Sequence, residues 1–109
     1  MGKIEMTPEL LELVAARFKA LAEPTRLRIL SVLRDGERTV SELVEATGLG
    51  QANVSKHLRL LRDLRFVERR RDGLYAVYSL ADEDVFTLCD LICGRMERES
   101  EQWRELIGA

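Results

Sequence analysis

The sequence has few cysteines and prolines and no long apolar run. Two cysteines, Cys89 and Cys93, among 109 residues are too few for a disulfide framework, and we expect reduced thiols. A composition with 46% hydrophobic and 33% charged residues excludes a disordered chain. No apolar run approaches the roughly 18 residues that a membrane span needs, and the N-terminus lacks the apolar core of a secretory signal. These absences predict a cytoplasmic protein without a membrane partner, and the length of 109 residues predicts a single domain over 1–109.

The motifs of common enzymes are missing as well. We find no glycine-rich phosphate loop, no pair of catalytic carboxylates and no nucleophile beside a histidine, so we expect no catalytic activity. His57 is the only histidine, and no acidic or cysteine partner lies near it in the sequence. We expect it to pack against neighbours or to contact one phosphate.

Positive charge is concentrated in one segment of an otherwise acidic chain. Seven basic and two acidic residues lie between Gln51 and Arg71, a local net charge of +5, whereas the whole chain carries −2. A basic block inside an acidic protein directs its electric field from one face, which favours nucleic-acid binding over a merely solvated surface.

Helical periodicity and capping signals predict a helix-turn-helix over 40–64. Thr39 and Glu42 form the pattern of a capping box before a short helix. Two glycines, Gly48 and Gly50, then mark a tight turn, and a second helix follows from about Gln51 to Leu64. Its apolar residues recur at four- and three-residue spacing, so one face is expected to be buried.

A hairpin, two long helices and a shorter helix between Pro24 and Arg34 complete the predicted fold. The segment 66–80 alternates as two strands, and Asp72-Gly73 is a strong signal for a type I′ turn. Helices are expected at 8–21, after the N-cap Thr7, and at 82–107, after an acidic start. The order predicts a mainly α fold with a two-stranded β wing, a winged helix-turn-helix.

In a helix-turn-helix protein, the start of the second helix enters the major groove of double-stranded DNA. Glutamine and asparagine can pair with adenine there, while arginine and lysine reach guanine or phosphates. A wing meets the backbone or the minor groove. The predicted DNA contacts are Gln51, Asn53, Ser55, Lys56, Arg59 and Arg62 on the helix and Arg69, Arg70 and Arg71 near the wing tip.

Three segments of the sequence resemble the ArsR/SmtB family of bacterial repressors. They are FKALAEPTRLRIL at 18–30, NVSKHL at 53–58 followed by Leu61, and RDGLY at 71–75. The resemblance covers about 10–97. It implies a homodimer built on the first and last helices, and repression by operator occupancy that a ligand or a chemical signal relieves. It adds His57 to the recognition helix and Gly73 to the wing.

The chain departs from the family at several positions. Where metal sensors carry Cys-x-Cys, it has Thr39 and Ser41. A second metal site of the family joins an Asp-x-His near the start of the last helix to a His-x-x-His farther along it, and the matching positions here are Asp82 and Asp84, then Arg95 and Arg98. Neither recurrent metal site is therefore expected. Arg65 stands where the family has glycine, which requires a strained residue or a different helix end.

Cys89 and Cys93 lie four residues apart, so a helix places both thiols on one face. One interpretation is a sensor that binds a soft metal or metalloid ion, or that is oxidised or bridged by a disulfide under strain. The other is that both cysteines are small apolar residues of a dimer core. The sequence leaves both open.

Two functions remain after enzymes are excluded. The first is a homodimeric repressor that binds an inverted-repeat operator and is released by an effector or by a thiol change at Cys89 and Cys93. The second is a winged-helix module for dimerisation or protein contact, which would not need a basic helix and wing.

Overall fold

The structure, a computed structural model, describes residues 3–108; the two ends of the predicted domain lie outside this range. The mainly helical fold with a β wing is confirmed. The helices are α1 (Pro8–Leu21), α2 (Pro24–Arg34), α3 (Val40–Thr47), α4 (Gln51–Asp63), α5 (Asp84–Glu99) and α6 (Glu101–Ile107), and the strands are β1 (Arg38–Thr39), β2 (Val67–Asp72) and β3 (Tyr75–Leu80). Within the described residues, no helix has the length and apolarity needed to cross a membrane.

Two charged side chains stabilise the connection between α1 and α2 through hydrogen bonds. The carboxylate of Glu23 accepts a hydrogen bond from the Arg26 amide and caps α2. The Arg26 guanidinium turns back and donates to the Ala20 carbonyl at 2.6 Å, which satisfies an unpaired acceptor at the end of α1. Pro24 begins α2 without losing a helical hydrogen bond. The family-like segment 18–30 therefore fixes the angle between two helices.

The helix-turn-helix is formed by α3 and α4. Thr39 and Glu42 make the predicted capping box, and Gly48 ends α3 in a left-handed conformation with a φ of 74°. Val54, Leu58 and Leu61 of α4 are fully buried, in one core with residues of α2, α3 and α5. Because one face of α4 is held in the core, its remaining residues point outward.

The wing contains a strand that the sequence did not reveal. Strand β1 pairs with β3, so the sheet has three antiparallel strands in the order β1-β3-β2. The predicted Asp72-Gly73 turn is wrong by one residue, because Asp72 pairs with Tyr75 and the loop is Gly73-Leu74. Gly73 has a φ of 61°, and a positive φ at the first loop position alone is typical of a type II′ turn.

The single last helix predicted over 82–107 is also wrong. Ser100 has an extended backbone, with φ −159° and ψ 138°, and separates α5 from α6. Its hydroxyl accepts a hydrogen bond from the Gln102 amide at 3.1 Å. Serine at this position caps a new helix instead of continuing the old one. The helix also begins two residues later than predicted. The Asp82 carboxylate accepts a hydrogen bond from the Asp84 amide, and α5 begins at Asp84.

A Schellman motif ends α4 without a glycine. The Phe66 amide donates to the Leu61 carbonyl at 2.8 Å, and the Arg65 amide donates to the Arg62 carbonyl at 2.9 Å. Arg65 has a φ of 66°, the one positive value at a non-glycine position in residues 3–108. The strained alternative considered for Arg65 is therefore the one adopted.

Replacing Arg65 with glycine is expected to stabilise the fold. Left-handed backbone at a residue with a Cβ atom costs about 1 kcal/mol, and glycine removes that strain. We expect Arg65→Gly to raise the free energy of unfolding in urea by about that amount. Arg65→Ala is the matched control, since it removes the same side chain but keeps the Cβ atom. Equal stability of the two variants would contradict the strain.

Candidate nucleic-acid interface

The outward face of α4 carries most of the predicted DNA contacts. Gln51, Asn53, Ser55 and Lys56 are exposed in its first two turns, and Arg59 and Arg62 are exposed farther along. His57 is half-buried, between this face and the core. The N-cap is Gly50, whose missing side chain leaves the first amides of α4 without a side-chain acceptor. The start of the helix therefore offers polar groups and backbone donors to solvent.

An open cleft lies between α4 and the wing. Its volume is about 700 Å³, and its lining residues are Ser55, Arg59, Arg62, Asp63, Arg69 and Tyr78. Three of these six residues are arginines and one is an acid, so the cleft is cationic. Ser55, Arg59 and Arg62 follow each other at four- and three-residue spacing, which places them on one side of the helix. The cleft has the charge expected of a surface that receives the phosphates of a nucleic acid.

The three consecutive arginines of β2 do not share one face. Side chains alternate along a strand, and Arg69 and Arg71 follow the buried Val67 at two-residue spacing. Arg69 pairs with Tyr78 across the sheet and borders the cleft beside α4. Arg70 therefore points to the opposite face. The sequence alone placed all three together at the wing tip.

Arg70 is engaged by an acid that the sequence analysis missed. Its guanidinium donates two hydrogen bonds to the Glu37 carboxylate, both at 3.0 Å, and lies 3.9 Å from Asp72. The side-chain hydrogen bond with Arg70 holds the pKa of Glu37 below its ordinary value. Glu37 precedes β1, and its partner is 33 residues away. No local sequence signal links the two.

The wing tip itself has no basic residue. Gly73 forms the turn, followed by Leu74 and Tyr75, which are 93% and 65% exposed. Arg71 stands beside Asp72, the last residue of β2. The cationic part of the wing is thus its α4 side and not its end.

Both cysteines are half-buried on α5, as free thiols. Burial raises the pKa of the Cys89 thiol, the charges of Cys93 and Asp90 raise it further, and Arg34 acts in the opposite direction. Within residues 3–108, no group of three or more histidine, cysteine or acidic side chains is arranged to hold a metal ion. Two soft ligands do not complete a metal or metalloid site within one chain.

The residues aligned with family metal ligands are used otherwise. Thr39 and Glu42 cap α3, and the Arg95 guanidinium donates to the Glu99 carboxylate at 3.1 Å. Asp82 accepts the amide that begins α5.

The helix-turn-helix, the three-stranded wing and the basic cleft between them define a winged helix-turn-helix protein. The family described as "Bacterial regulatory protein, arsR family" matches residues 23–69, from the start of α2 into β2. The chain belongs to this family, a family of transcriptional regulators and not of enzymes.

Relatives agree over most of the described fold. The "Probable mercury resistance operon repressor" of Streptomyces lividans is 48% identical over 71 residues, 65% of this chain and 57% of the relative. The "Transcriptional repressor SmtB homolog" of Synechocystis is 40% identical over 77% of this chain and 67% of the relative. The match thus spans little more than half of the Streptomyces repressor's length.

A solved structure gives the same result for the fold. The homodimeric winged helix-turn-helix DNA-binding domain of Mb0332 from Mycobacterium bovis superposes with a TM-score of 0.75. It is 35% identical, and the alignment covers 91% of this chain and 94% of that domain.

The cleft predicts a specific salt dependence for one arginine. If Arg69 meets a phosphate, Arg69→Gln removes one contact per subunit, and each contact contributes about 0.9 to the slope of log affinity against log salt. We expect the slope for duplex DNA to fall by about 1.8 for a dimer, measured by fluorescence anisotropy. Arg98→Gln on α5 changes the net charge equally and serves as the control. A slope unchanged by Arg69→Gln would remove Arg69 from the interface.

Proposed function

We propose that the protein is a homodimeric transcriptional repressor that binds an inverted-repeat operator in double-stranded DNA. The cationic cleft between α4 and β2 is the observation that carries this proposal, because it joins the exposed start of α4 to the basic side of the wing. A module used only for protein contact has no need of this surface. The family membership supports the same function.

A dimer is favoured by apolar side chains that one chain leaves in water. On α1, Leu13 and Phe18 are 58% and 57% exposed, and on α5, Leu91 and Ile92 are 66% and 61% exposed. The two helices also meet at an apolar groove of about 210 Å³, lined by Val14, Arg17, Phe18, Leu21, Phe66 and Leu88. Exposed apolar surface of this kind marks an interface. The homodimeric Mycobacterium bovis domain supports a second copy of this chain as the partner.

Two-fold symmetry then sets the form of the operator. A dimer presents two copies of α4, one to each half-site, about 34 Å apart along the duplex. In the proposed complex Gln51 and Asn53 read base edges, and Arg59, Arg62 and Arg69, which line the cleft, contact phosphates.

Operator selection with random duplexes tests the proposal, and Asn53 separates base reading from charge. We expect the selected sites to be inverted repeats that bind two protomers. Asn53→Ala should change the free-energy discrimination between bases by about 1–3 kcal/mol at one position of each half-site, and it should leave the salt slope unchanged. Arg59→Gln should weaken the binding of all DNA sequences alike. Failure of the wild-type protein to bind any duplex, or binding as a single protomer, would support the protein-contact module instead.

For the regulation of DNA binding, we propose that a chemical change at Cys89 and Cys93 releases the operator. Cys89 lies one turn beyond Phe86, and the Arg34 guanidinium of α2 stacks 4.4 Å above the Phe86 ring. Arg34 also pairs with Glu83 at 3.4 Å. The Cys89 thiol therefore stands beside the contact between α5 and α2, Cys93 follows one turn later on α5, and α2 shares its core with α4. An altered α5 would disturb both the dimer surface and this contact.

The double variant Cys89→Ser/Cys93→Ser tests thiol sensing. Oxidation with diamide, or addition of arsenite or a soft metal ion, is expected to lower operator affinity of the wild-type protein and to leave the variant unaffected. Because the Cys89 pKa is raised, the thiolate fraction is small at neutral pH, and alkylation should accelerate about tenfold per pH unit up to that pKa. Identical DNA binding of both proteins after every treatment would assign the cysteines to packing.

A further inference from the structure

Arg70 borders a small pocket of about 170 Å³ together with Arg62, Arg69 and Arg71, but it differs from these three arginines in having an acidic partner on another part of the chain. Its guanidinium is held by the Glu37 carboxylate through two parallel hydrogen bonds of 3.0 Å, with Asp72 at 3.9 Å on another nitrogen. Charge-assisted, bidentate pairs are the strongest hydrogen bonds that side chains form. The positive charge of Arg70 is thereby matched within the protein.

The ion pair crosses the sheet from one edge to the other. Thr39 of β1 and Arg70 of β2 are both opposite Val77 of the central strand, so the three side chains share a face. Glu37 precedes β1 by one residue, and its carboxylate reaches Arg70 over the width of β3. Val77 is 8% exposed although this is the face turned away from α4. The ion pair lies on the face of the sheet that bears Val77.

We propose that Glu37 and Arg70 form a strap that positions the wing, and that Arg70 is a positioning residue and not a DNA contact. The strap ties β2 to the loop that leads into α3. It fixes the wing relative to the helix-turn-helix, so that Arg69 and Arg71 on the other face stand ready beside α4. A wing held in place before binding loses less freedom when DNA arrives.

The strap and a phosphate contact make opposite predictions for Glu37. If Arg70 bound phosphate, Glu37→Gln would free its guanidinium and remove a repelling charge, and operator affinity would rise. If the pair is a strap, Glu37→Gln and Arg70→Gln weaken operator binding equally, by up to about fivefold per subunit, the range of one surface ion pair. The salt slope stays that of the wild-type protein in both variants.

Asp72→Asn is the matched control. It removes the same charge as Glu37→Gln from the neighbourhood of Arg70, but Asp72 lies on β2 itself, so its contact with Arg70 links no second element. We expect it to leave affinity unchanged or to raise it slightly. The exchanged pair, Glu37→Arg with Arg70→Glu, is expected to restore most of the affinity that either single charge change loses. A slope reduced by about 1.8 in Arg70→Gln, or a gain of affinity in Glu37→Gln, would overturn the strap.

This inference rests on the proposed DNA-binding function, and a measurement without DNA separates the two. Hydrogen exchange of the β2 and β3 amides in the free protein should be faster in Glu37→Gln and Arg70→Gln than in Asp72→Asn. Faster exchange in a protein that binds no duplex would leave the strap in place and remove the proposed function. Exchange equal to that of the wild-type protein in all three variants would remove the strap.

Discussion

The burial of three side chains of α4 determines which of its residues face solvent. Val54, Leu58 and Leu61 are completely buried, and burying a side chain of this size contributes about 1.5–3 kcal/mol. Rotating α4 about its axis would expose all three to water. The helix is therefore held in one orientation, and its polar and basic residues point outward as a consequence of what its apolar residues require.

A second constraint acts on the wing, where alternation along β2 separates charges that are adjacent in the sequence. By this alternation Arg69 and Arg71 fall on one face of β2, where Arg69 lines the cleft, while Arg70 falls on the other face and meets Glu37. Three arginines on one face would repel each other strongly, and the division reduces that repulsion. The single acid in the cleft, Asp63, works in the same sense beside Arg59 and Arg62. The positive charge of this segment is thus concentrated enough to attract an anion, while its division between the two faces of β2 limits the repulsion within the folded protein.

The sequence predicted the features that depend on neighbours along the chain. Capping by Thr39 and Glu42, the turn at Gly48 and the buried stripe of α4 are all local, and each was found. The break at Ser100 was missed because Trp103 and Ile107 continue the helical spacing across it. The one local signal for a new helix is the serine at its N-cap. The shift of the hairpin turn depends on the register of β2 against β3, which packing of buried strand residues sets.

Contacts between distant residues lay beyond sequence reasoning for a different reason. Glu37 and Arg70 are one acid and one arginine among many, and nothing in their local pattern selects this pairing. The two-residue strand β1 is too short for an alternation to be recognised. The exposure of Ser55, Arg59, Arg62 and Arg69 was predictable one residue at a time, but the cleft that joins them exists only once the sheet has its register.

The basic surface and the apolar surface lie on different elements, and α2 connects them. Ile29 and Leu30 of α2 share one core with Val54 and Leu58 of α4, while Arg34 at its end stacks on Phe86 of α5. Cores are packed as tightly as organic crystals, so a displaced helix moves its neighbours instead of deforming alone. A change that shifts α5 in a dimer therefore has a short route to the face of α4, through α2 and without passing through the wing. Since the strap ties the wing to the loop that follows α2, movement of that helix would reach α4 and β2 together.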